Sequence, residues 1–212
     1  DAAAYQRSYR LKIAEVRGTI YDCRRIPLVN RTQKLIAAVV PGTKIFNELS
    51  NSVEESEVSN LWKKLSLSEP FSIEVNKKIN CSGVKTFEIP IRYDGIVPAA
   101  HVIGYLSGDN KGVYGIEKAY DDYLSGDKNE ICVRYSVDAS NRLLSGGDSF
   151  ADDKSYLTTK GVVLNIDQRL QNLAEEVSNK YIAKGAVIIT EVPECEIRAL
   201  VSLPGFMPQS VG

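Results

Sequence analysis

Two short stretches of the sequence have the spacing of a nucleophile and its activating base. Ser82-Gly83-Val84-Lys85 and Ser125-Gly126-Asp127-Lys128 each place a lysine three residues after a serine, where an amine can help ionise the hydroxyl for attack on a carbonyl. With 19 serines and 15 lysines in 212 positions, about 1.3 such matches arise by chance, so two of them carry no weight. The S-x-N and K-T-G motifs that complete such a site are missing, since Lys85-Thr86 runs into Phe87. His101, the single histidine, has neither a neighbouring nucleophile in sequence nor a second imidazole, which points to a structural role. Cys23, Cys81, Cys132 and Cys195 are scattered without a C-x-x-C pair. That disfavours zinc, and no metal or cofactor is expected. Their even number permits two disulfides in an oxidising compartment, although scattered cysteines more often act as small buried hydrophobes.

A formal net charge of −1, from 26 basic and 27 acidic residues, gives no field that would hold a polyanion, so nucleic acid is not an expected partner. The 43% apolar content suits a core-forming chain, and no run approaches the roughly 18 apolar residues of a spanning helix. The only methionine is Met207, which leads us to expect a further N-terminal piece upstream.

The elements that must position any site follow from periodicity. Leu11 to Val16 and the run to Asp22 read as a strand followed by a turn near Pro27. Ser52-Val53-Glu54-Glu55 has capping-box spacing ahead of a helix carrying Val58, Leu61, Trp62 and Leu65. Alternation at Phe87, Ile89, Ile91 and Tyr93 marks a strand that Pro90 confines to an edge. Ile131, Val133, Tyr135 and Val137 mark another, with a turn at residues 138–141. Residues 146–160 have the composition of a connector. Beyond it Ile166, Leu170, Leu173, Val177 and Tyr181 predict a helix that packs along that stripe, followed by a hairpin of residues 185–190 and 196–201 turning at Pro193-Glu194. A helix and two strands cannot bury both faces of a sheet, so this last unit is expected to be incomplete or to need a partner surface.

Taken in order, these segments resemble the class B penicillin-binding proteins. Arg17-Gly18-Thr19-Ile20-Tyr21-Asp22 looks like that family's R-G-x-I-x-D opening, and His101 to Gly104 like its H-x-x-G stretch. Gly112-Val113-Tyr114-Gly115-Ile116-Glu117 with Leu124-Ser125-Gly126 is similar to G-x-x-G-x-E…L-x-G. Leu164 to Asp167 with Leu170-Gln171 resembles the L-T-I-D-x-x-L-Q entry to the transpeptidase domain, and residues 185–208 resemble its first hairpin. Single motifs of this length recur by chance, whereas five in the right order do not. Two departures stand out. Cys23-Arg24-Arg25 replaces the usual Arg-Asn-Gly, and Glu194-Cys195 replaces Thr-Gly at the hairpin turn.

The resemblance implies an α+β chain: an elongated, sheet-rich pedestal (dimerisation) module over residues 1–158, then a helix-plus-hairpin fragment of the serine transpeptidase α/β fold over 159–212. It implies a non-catalytic piece of a peptidoglycan D,D-transpeptidase of cell division or sporulation, whose parent binds stem peptides and β-lactams. That parent would sit on the extracytoplasmic face of the membrane behind an N-terminal anchor. Implied partners are proteins of the cell-wall synthesis machinery, or a second copy in a homodimer. Arg17, Gly18, Asp22, His101, Gly104, Gly115, Glu117, Gly126 and Asp167 would be its structural residues. Arg17, Asp22 and Glu117 together would form a partly buried salt-bridge network that knits the module's head to its base; the bland alternative is three unrelated surface charges. Two other readings stay open: a complete acylating enzyme using Ser82 or Ser125, with His101 or a lysine as base, and an unrelated extracytoplasmic binding domain.

Overall fold

The computed structural model describes residues 8–41, 45–67, 69–126, 130–137, 150–152 and 160–211. In chain order the strands are β1 (Ser8–Glu15), β2 (Thr19–Tyr21), β3 (Thr32–Val39), β4 (Phe71–Val75), β5 (Val84–Ile91), β6 (Glu130–Ser136), β7 (Phe150–Asp152), β8 (Gly161–Val163), β9 (Gly185–Glu191) and β10 (Glu196–Leu203). The helices are α1 (Phe46–Ser50), α2 (Val58–Ser66), α3 (Ala100–Ile103), α4 (Gly115–Ala119), α5 (Asp121–Ser125) and α6 (Gln168–Tyr181). The backbone packs as two units interleaved in sequence: residues 1–16, 33–90 and 128–158 in the first, and 17–32, 91–127 and 159–212 in the second.

The first unit holds two three-stranded sheets, β1-β6-β7 and β4-β3-β5. The second half of central strand β3 is apolar on both faces, with Ala37, Ala38 and Val39 all buried, as a strand covered on both sides must be. Ala37 and Val39 face a core with Leu49, Leu61, Ile73 and Val75, so α1 and α2 cover that side. Ala38 faces a second core with Ile13, Phe87, Ile89, Ile131, Val133 and Tyr135, which brings in β1 and β6. Strand β5 lies at a sheet edge, the position at which a strand tolerates Pro90. The turn expected at residues 138–141 and most of the connector fall outside the described residues.

The capping box does not form. Ser52 is fully buried after α1 and its hydroxyl donates to the Glu48 carbonyl at 2.7 Å, while α2 begins six residues later behind a 3-10 turn at Glu55–Glu57. A serine hydroxyl that satisfies the end of the preceding helix is not available to start the next. Trp62, expected on the packed face of α2, is 57% exposed and lies against Phe46 at a ring separation of 4.2 Å.

In the second unit β2 and β8 pair in parallel, Ile20 opposite Val162, above a core of Ile20, Leu28, Val29, Val97, Ile103 and Leu124. Strands β9 and β10 form the expected hairpin, with Leu203 opposite Gly185. Asp167 caps α6 by accepting from the Arg169 and Leu170 amides. Of the expected stripe, Ile166 is buried and Leu170 packs on the hairpin core, but the buried face then turns through Gln171, Ala174 and Ser178 and leaves Leu173, Val177 and Tyr181 exposed. Small Ala174 lets the helix approach Ala199, Val201 and Leu203 closely. The Gln171 amide replaces an apolar contact by donating to the Leu200 carbonyl and accepting from its N–H, both at 2.8 Å. An amide satisfied on both sides is as acceptable in a core as a hydrocarbon.

Both departures from the family pattern fall at left-handed residues. Arg25 (φ 63°) and Cys195 (φ 58°) stand where the pattern has glycine and take left-handed conformations that glycine adopts at least cost.

Candidate functional site

The densest polar arrangement among the described residues surrounds Glu117, whose side chain is fully buried on α4. Its Oε2 accepts from Arg17 Nε at 2.9 Å, and its Oε1 from Arg92 Nε at 2.7 Å and the Tyr93 hydroxyl at 3.0 Å. Arg92 Nη2 lies 2.6 Å from the same Oε1 as an ion-pair contact. Arg17 also donates to the Glu117 carbonyl at 3.0 Å and to Asp121 Oδ1 at 2.6 Å. Arg92 Nη1 donates to the Gly18 carbonyl at 2.6 Å, and Asn30 closes the ring by donating to the Arg17 carbonyl and the Thr19 hydroxyl. Two guanidiniums thus meet two carboxylates, and the planar forks supply directional donors that an ammonium could not.

Glycines let the backbone deliver these side chains. At Gly104, φ is 86° and ψ −156°, a region essentially restricted to glycine, and a Cβ there would lie 1.9 Å from the Tyr114 carbonyl oxygen. Gly115 (φ 63°) crosses the same point from the other side, with a Cβ position 2.5 Å from the Val102 carbonyl. The two motif segments therefore touch backbone to backbone, which sets the start of α4 and hence Glu117. Gly18 is packed against the Lys160 carbonyl and donates its N–H to Leu124 at 2.8 Å. Gly126 ends α5 at φ 57°.

Asp22 belongs to a separate node. Its Oδ1 accepts from the Arg24 and Ile26 amides and its Oδ2 from Gln168 N at the start of α6, while Arg24 bridges Asp22 and Asp167. Burial alone would raise the Asp22 carboxyl, but the Ile26, Gln168 and Arg24 amides and the Arg24 charge outweigh it and hold it below the ordinary carboxylate range. Asp121 is likewise raised by burial and lowered further by the Gly112 N–H and Arg17. A carboxyl that binds its proton less tightly in the folded chain adds stability above its unfolded pKa of about 3.9 and loses it as pH falls through the lower folded value. Urea midpoints should therefore hold from neutral pH to about pH 4 and then decline. In Asp22→Asn that decline should be shallower; an unchanged acid profile would remove Asp22 from this account.

The structure brings Arg17, Glu117 and the glycines around them together, and places Asp22 with Asp167 instead. His101, on α3, lies edge-on to Phe206 at 4.7 Å with Nε2 3.1 Å from the Pro204 carbonyl. Arg92, Tyr93, Asp121 and Asn30 were not anticipated. The available signals were an arginine immediately after β5 and an acid four residues after Glu117. Ser82 is exposed in the turn before β5, with Lys85 on the strand itself. Ser125 ends α5, its hydroxyl donating to the Asp122 carbonyl. Neither serine opens a helix that would aim a lysine at it. Cys132 is buried, Cys23 and Cys81 are half-buried and Cys195 is exposed, all as free thiols.

No protein-family model matches the chain. It is 30% identical over 202 residues to the "Probable peptidoglycan D,D-transpeptidase PenA" of Neisseria gonorrhoeae, covering 90% of this chain and 33% of that protein. It is 27% identical to the stage V sporulation protein D of Bacillus subtilis, covering 87% and 29%. With the peptidoglycan D,D-transpeptidase FtsI of Escherichia coli K12 it shares 29% identity over 64% of this chain and 23% of the relative. The chain thus spans a third or less of the length of these curated relatives. Among solved structures, a penicillin-binding protein (PBP2) of Helicobacter pylori matches with a TM-score of 0.52 at 19% identity, covering 95% of this chain and 44% of that one. The complex between PBP2 and MreC from the same organism matches with a TM-score of 0.51 at 19% identity, covering 97% and 44%. At this identity the solved structures establish a shared mixed helix-and-sheet fold.

Proposed function

Because the chain belongs to the class B penicillin-binding proteins over most of its length, we propose that it is the non-catalytic pedestal of a peptidoglycan D,D-transpeptidase together with the first helix and hairpin of the transpeptidase domain. The observation that carries this reading is the Glu117 network: the polar groups of the motif residues Arg17 and Glu117 are spent on each other, on Arg92, Tyr93 and Asp121, and on backbone carbonyls, which holds a scaffold rather than polarising a substrate. We assign residues 1–158 to the pedestal and 159–212 to the transpeptidase fragment. The exposed stripe of Leu173, Val177 and Tyr181 on α6 supports treating that fragment as part of a larger layer.

The role this leaves for the chain is positioning. It would hold a transpeptidase domain at the extracytoplasmic face of the membrane and present surface to other proteins of cell-wall synthesis. Among the described residues no helix is long and apolar enough to cross a membrane, so the anchor of the proposed parent would lie elsewhere. Incubation with a fluorescent penicillin followed by intact-mass spectrometry should give no covalent adduct. A stoichiometric adduct on Ser82 or Ser125 would make the chain an acylating enzyme and end the pedestal reading. For the partner role, immobilised chain should retain a cell-wall synthesis protein from membrane extract; retention of none would count against it.

A further inference from the structure

Glu175, on the third turn of α6, is a carboxylate held in place without being neutralised. Its Oε1 accepts from the Ala99 amide at 2.8 Å and from Gln171 Nε2 at 2.7 Å, two uncharged donors. Gln171 is itself locked to the Leu200 backbone, and Ala99 has left-handed φ (54°), so the carboxylate is fixed from both sides by rigid backbone. Among the described residues no cation pairs with Glu175 and no group donates to its Oε2. A half-buried carboxylate normally finds a cationic neighbour, because an unpaired charge near apolar surface is costly.

That carboxylate lines a pocket of about 220 Å³ whose remaining wall is largely apolar, including Val97, Leu203, Phe206 and Met207. Asn179 and Ser202 are further polar side chains at its margin, and His101 is engaged with the Pro204 carbonyl and the Phe206 ring. Among the described residues no lysine or arginine lines it. A site with one fixed negative charge, apolar walls and room for a short aliphatic chain matches one chemistry. We propose that this pocket binds an alkylammonium group: a primary amine on a stem of about four or five carbons, with the cation on Glu175 Oε2 and the stem along Phe206 and Leu203. The reading does not use the Glu117 network or the chemistry of any serine, so it stands or falls separately from the pedestal assignment, although its groups come from both assigned parts, Val97, Ala99 and His101 from 1–158 and Glu175, Leu203 and Phe206 from 159–212.

The test is a titration of the 15N-labelled chain with pentylammonium, with pentanol and pentanoate as controls. Pentylammonium should shift the Ala99 and Gln171 amide resonances saturably, with a Kd in the millimolar range expected for so small a ligand. Pentanol should bind at least about tenfold more weakly, since it lacks the charge-assisted contact. Pentanoate should not bind. Glu175→Gln keeps an acceptor for Ala99 and should retain the melting temperature while weakening pentylammonium at least about tenfold. Equal binding of amine and alcohol, or of amine to the parent and Glu175→Gln, would overturn the assignment. A lysine-containing tripeptide distinguishes the source of the amine: tighter binding than pentylammonium assigns the site to a polypeptide side chain, weaker binding to a free amine.

Discussion

Glu117→Ala should destabilise the chain by about 3–5 kcal/mol, the usual consequence of removing one partner from a buried ion pair. The loss should be at the upper end of that range, because two guanidiniums, Arg17 and Arg92, share this single fully buried carboxylate and both would be left charged and largely enclosed. Urea denaturation of the variant measures it directly. Removing Arg92 in the Glu117→Ala background should then cost less than removing it from the parent, since its partner has already gone. Additive losses would mean that the network is a set of independent contacts. Arg17→Lys tests the geometry separately: an ammonium cannot reproduce the simultaneous bonds to Glu117 Oε2, the Glu117 carbonyl and Asp121, so the substitution should be far from neutral.

The second large effect is expected at Gly104. In Gly104→Ala the new methyl carbon meets the Tyr114 carbonyl oxygen at 1.9 Å, and the backbone cannot relax toward an ordinary conformation without parting the Gly104–Gly115 crossing. Backbone strain of this kind alone costs about 1–3 kcal/mol, and the clash with a carbonyl adds to it. Gly95→Ala is the matched control, because Gly95 also has positive φ (59°) but nothing within 4 Å of its Cβ position. That control should lose only about 1–2 kcal/mol. Comparing soluble yield and melting temperature separates the two terms, and equal losses would refute the close approach.

Much of this was legible from the order of residues, and the failures share a cause. Strand and helix positions follow from local spacing, so the hairpin, α6 and the edge position of β5 could be anticipated. Which face of α6 packs could not, because Gln171 becomes a core residue only through the Leu200 backbone, which periodicity does not see. The same holds for the charge network. Arg17 and Glu117 were marked by motif, but Arg92 and Tyr93 join them only once the chain has returned from β5, and Asp22 is diverted by the amides of its own turn. Ser52 likewise found a nearer carbonyl than the helix start it was spaced for. In each case the partner is one that spacing does not name: a distant backbone for Gln171, a distant carboxylate for Arg92 and Tyr93, and a nearer backbone group than the expected one for Asp22 and Ser52.

The interleaving of the two units governs the order in which the chain can be completed. β1 pairs with β6 and β2 with β8, so Leu11 waits for Val133 and Thr19 for Gly161. A ribosome delivers the N-terminal strands long before their partners exist, and closing loops of this length is slow. Until then β1 and β2 are bare strand edges, the kind of surface on which nascent chains associate wrongly. Neither unit can be liberated by a single cut: cleavage after residue 127 removes β6 from β1, and cleavage after 158 removes β8 from β2. Dissection by truncation would therefore report damaged pairing rather than the properties of either part, and point substitutions in the intact chain are the way to assign roles within it.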